Sequence, residues 1–93
     1  MSAAGIHWRR AAHHNFSVEP DGVEVAYTRG VALVAYRAAV GPLCMALNRT
    51  FVGETLEDAK RQAEIHVQAS SPNALEDWRI PQSVFRRAYG LAD

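Results

Sequence analysis

The side chains of this chain suited to acid–base, nucleophilic or metal chemistry are four histidines, one cysteine and a set of carboxylates, and their spacing assembles no known constellation. His13 and His14 are adjacent, so on a strand they point to opposite sides and do not chelate one ion in regular geometry. His7, His66 and Cys44 stand at unrelated spacings, which makes surface histidines the expectation and a metal site unexpected. Cys44 sits beside Ala46 with no base at a recognisable offset and there is no Gly-x-Ser-x-Gly motif, so the thiol reads as small and inert. Gly53 stands alone before Thr55 and is followed by Glu54, Glu57 and Asp58, which repel phosphate; a nucleotide loop needs several glycines entering a helix. Glu57, Asp58 and Glu64 fall on the cap or solvent side of an amphipathic helix, an ordinary structural use of carboxylates. The expectation is a non-enzyme with no catalytic residue, metal or cofactor.

Binding chemistry is the alternative. Ten basic residues balance ten acidic ones, so the chain as a whole lacks the attraction that nucleic-acid and anionic-membrane binders use. A local nucleic-acid contact would draw on Arg9, Arg37, Arg86 and Arg87. Arg86 and Arg87 are expected to face outward near a helix end, where the helix dipole already accounts for them. Phe16, Tyr27, Tyr36 and Phe51 all fall on the expected core face of a sheet, which argues against a base-stacking surface. A protein contact would use the opposite, small-residue face, with Leu33, Ala35, Arg37 and Asn48, together with Trp78, Phe85, Arg86 and Arg87 from the tail.

The elements that must position these residues follow from three turns. Glu19-Pro20-Asp21-Gly22 sets Val18 opposite Val23 and Phe16 opposite Val25. Arg29-Gly30 sets Tyr27 against Ala32, Val25 against Val34 and Val23 against Tyr36. Gly41-Pro42 sets Val40 against Leu43, Ala38 against Met45 and Tyr36 against Leu47, with Phe51 continuing the parity. All three keep the large apolar side chains on one face, and the reading is a four-stranded antiparallel meander in an α+β fold.

Thr55 and Asp58 occupy the cap and capping-box positions of a helix running to about residue 69. Its stripe of Leu56, Ala59, Ala63 and Val67 is expected to cover the apolar sheet face, with Ile65 and Ala69 turned nearly the opposite way. After the break at Ser70-Ser71-Pro72-Asn73 come two short helix starts: Asn73 with Glu76, and Pro81 before 82–89 with Gly90 as the stop. The short helices need support for Leu75, Trp78, Ile80, Val84, Phe85, Tyr89 and Leu91, and Ile65 is one candidate. Either they cover the small-residue face, or that face meets a partner or a second copy; a homodimer would form by pairing two such faces or by exchanging the C-terminal helices.

Composition bounds the rest. With 93 residues, 48% hydrophobic and 22% charged, one domain spanning 1–93 is expected, its body 6–69 and its helical tail 72–91. The single cysteine excludes an internal disulfide and suits a reducing compartment such as the cytoplasm. The stretch from Val31 to Leu47 is broken by Arg37, Gly41 and Pro42, and the N-terminus lacks a charged-then-apolar order, so no membrane span or targeting segment is expected.

The segment Phe51-Val52-Gly53-Glu54-Thr55-Leu56-Glu57-Asp58-Ala59-Lys60, followed by Ala63-Glu64, resembles a pattern in short phage and prophage proteins of unknown function, as does the preceding meander with its Asp21-Gly22 turn. The resemblance covers the layout of residues 6–69 and leaves the tail outside. It implies a mobile-element product, a class that includes inhibitors of bacterial defence such as anti-CRISPR proteins, which act by stoichiometric binding. The combined expectation is a non-enzymatic protein-binding module, an inhibitor of a host nucleoprotein complex in that resemblance, with a nucleic-acid-binding accessory protein or a structural homodimer as the alternatives.

Overall fold

Period-two alternation between tight turns builds an antiparallel sheet of five strands in the order β1-β2-β3-β4-β5. They are β1 (Arg9–Arg10), β2 (Glu24–Thr28), β3 (Val31–Ala38), β4 (Gly41–Ala46) and β5 (Arg49–Val52), followed by helices α1 (Leu56–Ala69), α2 (Pro72–Glu76) and α3 (Gln82–Tyr89). The computed structural model describes residues 6–12 and 22–91. The expected pairing of Phe16 and Val18 across Glu19-Pro20-Asp21, and the His13–His14 pair, lie outside the described residues.

The α+β class holds, but the strand count is five and not four. Two local features set these strands apart from the expected four, and the second of them supplies the extra strand. Arg9 pairs with Val25 and Arg10 with Glu24, so a short edge strand that no apolar alternation announces holds the place beside Val25 expected for Phe16. The expected single strand over 43–51 is broken by a tight loop at Leu47-Asn48, because Ala46 pairs with Arg49 and Leu47 takes φ 57. A leucine at positive φ is an uncommon turn residue, which is why the break is hidden in the sequence.

The β2–β3 register is the expected one, with Tyr27 against Ala32 and Val25 against Val34 around Arg29 and Gly30, both at positive φ. The β3–β4 register is not. Tyr36 pairs with Leu43 and Val34 with Met45, so the loop is Ala39-Val40 and not Gly41-Pro42. The slip is an even number of residues, so every side chain keeps its face and the alternation pattern is blind to it. The tight loop after β4 does invert parity, and Phe51, expected beside Tyr36, pairs with Cys44 on the other face.

Both faces of the sheet are covered. On one, Ala26, Leu33, Ala35, Cys44 and Ala46 pack against Leu56, Ala59, Ala63 and Val67 of α1, joined by Ile6 and by Leu75 of α2. On the other, Val23, Val25 and Val34 pack with Phe85 of α3, flanked by Tyr27, Tyr36, Ile80, Tyr89 and Leu91. The stripe of α1 is as expected, but it lies on the opposite face from the one expected. Close packing explains the choice: an alanine-rich helix stripe fills space against a sheet face of alanine and cysteine, where backbones approach closely. The bulkier valine and tyrosine face is filled instead by Phe85 and Tyr89.

Local chemistry fixes the helix ends. The Thr55 hydroxyl accepts from the Asp58 N–H at 3.0 Å, while Asp58 Oδ2 accepts from the Glu54 N–H at 3.3 Å, a capping box displaced by one residue. At its other end, Arg29 Nη1 donates to the carbonyls of Val67, Gln68 and Ser70 at 2.8, 3.1 and 2.8 Å, tying the β2–β3 turn to the last turn of α1. Ser71, not Asn73, caps α2. Pro81 stands one residue outside α3, and Gly90 stops that helix in the left-handed conformation as expected. Ile65 supports neither short helix and stays exposed. No helix among the described residues is long and apolar enough to cross a membrane.

Gly53 permits the close passage from β5 into α1. A Cβ there would sit 2.7 Å from the Ala59 backbone nitrogen, so neither side can yield cheaply. Gly53→Ala should destabilise the fold by about 1–3 kcal/mol through overpacking, read as a lowered urea midpoint with unchanged slope.

Candidate functional site

The helical spacing of Glu57, Lys60 and Glu64 places three charges along one shoulder of α1, beside the apolar stripe. Lys60 and Glu64 are buried. The Lys60 ammonium donates to Glu24 Oε1 of β2 and Glu57 Oε1, each at 2.8 Å, and lies 5.1 Å from the centre of the Trp8 ring. Trp8 Nε1 donates to Glu64 Oε2 at 2.6 Å. Burial would lower the Lys60 pKa, but hydrogen bonds to Glu24 and Glu57 outweigh it and hold the ammonium above its usual range. Glu57 is held below the usual carboxylate range, chiefly by its hydrogen bond from Lys60. Lys60, Glu24 and Glu57 are thus engaged with one another, and Glu64 with Trp8, so the cluster is a strut between α1, β2 and the residues before β1.

Cys44 lies on the same sheet face, fully buried among the alanines. Burial pushes its thiol up to about 12, with the negative charge of Glu64 adding to the effect. A thiol that resists ionisation is a poor nucleophile at neutral pH, which agrees with the inert role its sequence context suggests. Among the described residues no group of three or more His, Cys, Asp or Glu side chains is placed to hold a metal ion.

A different set of residues forms a cleft where β1 and β2 meet α3. His7, Arg9, Val25, Tyr27, Gln82, Phe85 and Arg86 line a cavity of about 150 Å³. Its floor is aromatic, with the Tyr27 and Phe85 rings 5.0 Å apart and the Tyr27 hydroxyl donating to the Ile80 carbonyl. Its polar lining is His7, Arg9, Arg86 and Gln82, and among the described residues no carboxylate lines it.

The expected binding residues are divided by this architecture. Leu33 and Ala35, taken as an open face, are buried beneath α1. Arg37 shares their face by register and is exposed, whereas Arg9 pairs with Val25 on the face that α3 covers. Phe85 is a core residue, 4% exposed. Arg86, expected to face outward, is partly buried in the cleft, while Arg87 is exposed. Asn48 is exposed in the β4–β5 loop, and Trp78, after α2, is 45% exposed. Arg9 and Arg86 are therefore brought together, and Arg37 and Asn48 are kept apart from them.

Sequence reasoning missed His7, Gln82 and Tyr27 as cleft residues and placed Glu64 toward solvent. Glu64 had a readable signal, since positions 60 and 64 lie on the flank of the 56, 59, 63, 67 stripe. The cleft had none, because its residues come from both ends of the chain. Comparison with models of protein families, with curated proteins and with solved structures finds no match to this chain.

Proposed function

We propose that this protein is a non-enzymatic module that binds a protein partner stoichiometrically, of the kind that an inhibitor of a nucleoprotein complex would be. The observation that carries it is a pair of uncovered apolar side chains at one end of the sheet: Val40 in the β3–β4 loop, 74% exposed, and Val52 on the edge strand β5, 50% exposed. Apolar groups beside a sheet edge suit a partner that desolvates them. The buried ionisable groups meanwhile serve contacts within the fold. Tagged protein used for capture from bacterial lysate should retain a protein partner that survives nuclease treatment. Titration with the purified partner should then saturate at a fixed ratio. Val40→Asp with Val52→Asp should abolish retention at little cost to stability, since both sites face solvent. Retention unchanged by that double variant, or turnover of the captured molecule, overturns the reading.

A second reading, an accessory protein that binds nucleic acid, draws on the convergence of Arg9 and Arg86 on one cleft, but without Arg37, which lies on the opposite sheet face. A gel shift at low salt that weakens steeply as salt rises is its expected mark. No shift at low ionic strength removes it.

A further inference from the structure

The cleft between β1, β2 and α3 has a composition that selects its ligand. Two guanidiniums and an imidazole line it, and among the described residues no carboxylate does, so an anion meets several donors there. Arg9 and Arg86 already make contacts within the chain, but each guanidinium carries five N–H donors in a planar fork and can serve a further acceptor. Gln82 adds an amide, and it is the first residue of an eight-residue helix whose N-terminus has no side-chain cap, so the positive end of α3 lies at the cleft.

Size narrows the class. A cavity of about 150 Å³ falls well below the roughly 300–1,000 Å³ of a site for a whole drug-sized molecule. It accommodates one headgroup, with the Tyr27 and Phe85 rings available to the organic part. Geometry argues against a nucleic-acid backbone, which needs a track of cations: Arg37 and Arg10 lie on the opposite sheet face from Arg9, and the chain has no net charge. A compact dianion matches this concentration of positive charge better than a monoanion does.

We propose that the cleft formed by His7, Arg9, Gln82 and Arg86 over the Tyr27–Phe85 floor binds the phosphate monoester group of an organic ligand. The site lies at the β1–β2 side of the sheet, away from Val52 on β5, and stands or falls separately from the protein-binding reading.

The test is an amide-resolved NMR titration of the full chain with inorganic phosphate, phenyl phosphate and a phosphoserine peptide, each against sodium chloride at matched ionic strength. Saturable shifts are expected at Arg9, Gln82 and Arg86, with phenyl phosphate binding more tightly than inorganic phosphate because of the ring floor. Tighter binding of the peptide would assign the monoester to a modified protein, and tighter binding of phenyl phosphate to a small molecule. Arg9→Gln should weaken phenyl phosphate binding about tenfold, the loss expected for a charge-assisted hydrogen bond, while Arg61→Gln on the exposed side of α1 leaves it unchanged. Arg86→Gln should match Arg9→Gln; if that half-buried change prevents folding, the wild-type titration and Arg9→Gln decide. The proposal is overturned by shifts equal to those in chloride or by equal weakening in Arg61→Gln. It is also overturned if a single-stranded oligonucleotide moves these resonances and the monoesters do not.

Discussion

Lys60→Ala is expected to destabilise the fold by about 2–4 kcal/mol, whereas Lys60→Met should cost less than about 1.5 kcal/mol. The Lys60 side chain is 6% exposed and its ammonium is held by two carboxylates and the Trp8 ring. Truncation removes a buried aliphatic stem, leaves a void between α1 and Trp8, and strips Glu24, 32% exposed, of its counter-charge. Methionine refills the volume and leaves only the carboxylates unpaired. Glu57 is 74% exposed and Glu24 reaches solvent, so both rehydrate and the discount for screening is large. A stable domain of this length has roughly 5–14 kcal/mol in hand, so the alanine effect is a large share of the total. Urea midpoints for the two variants, with Trp fluorescence as the reporter, separate packing from charge. Equal losses in Met and Ala would mean that the ion pairs, and not the stem, hold α1 against β2.

The division of labour between packing and charge also explains what the sequence disclosed. Turn chemistry at Arg29-Gly30, the Thr55 cap and the Gly90 stop are local, and each stands where its residues demand. The alternation of small and large residues showed that the sheet has two distinct faces. It did not show which face α1 would choose, because apolar area favours the valine and tyrosine face while close approach favours the alanines. Two breaks in local rules hid the remaining strands. Leu47 turns at positive φ without being glycine or asparagine, and Arg9–Arg10 forms a strand with no apolar member.

The candidate site was legible only in part, for the same reason. Arg9 and Arg86 were recognisable as cations able to hold an anion, but their meeting depends on α3 folding back to the β1 edge, which closes a loop of nearly the whole chain. No periodicity encodes that closure. Val40 was read as a paired strand residue and not as a loop tip, since the slip in the β3–β4 register left its parity unchanged.

Alkaline pH should expose the other buried group. Cys44 has a thiol raised from 9.0 to about 12, by burial first and by Glu64 second. A raised pKa means that the folded state resists ionisation, so the unfolded state loses its proton first and draws the equilibrium toward itself. The stabilisation is therefore fully present below pH 9 and is lost as pH rises from 9 toward 12. The gap of about three pH units, at about 1.4 kcal/mol each, sets an upper bound of about 4 kcal/mol. Tyr89, raised by burial, and Lys60, raised by its carboxylates against the effect of burial, lose stability in the same direction at the upper end of that window. Cys44→Ala, flanked by Ala35 and Ala46, adds no bulk and should remove most of the slope between pH 9 and 10, leaving the Tyr89 and Lys60 contribution above it. Urea midpoints of wild type and Cys44→Ala measured at pH 8, 9.5 and 11 should differ at pH 8 by the small loss of packing, with wild type the more stable, then converge and cross as pH rises. If the two lines run parallel through pH 11, the thiol reaches solvent by local opening of α1, and the alkaline loss belongs to Tyr89 and Lys60 alone.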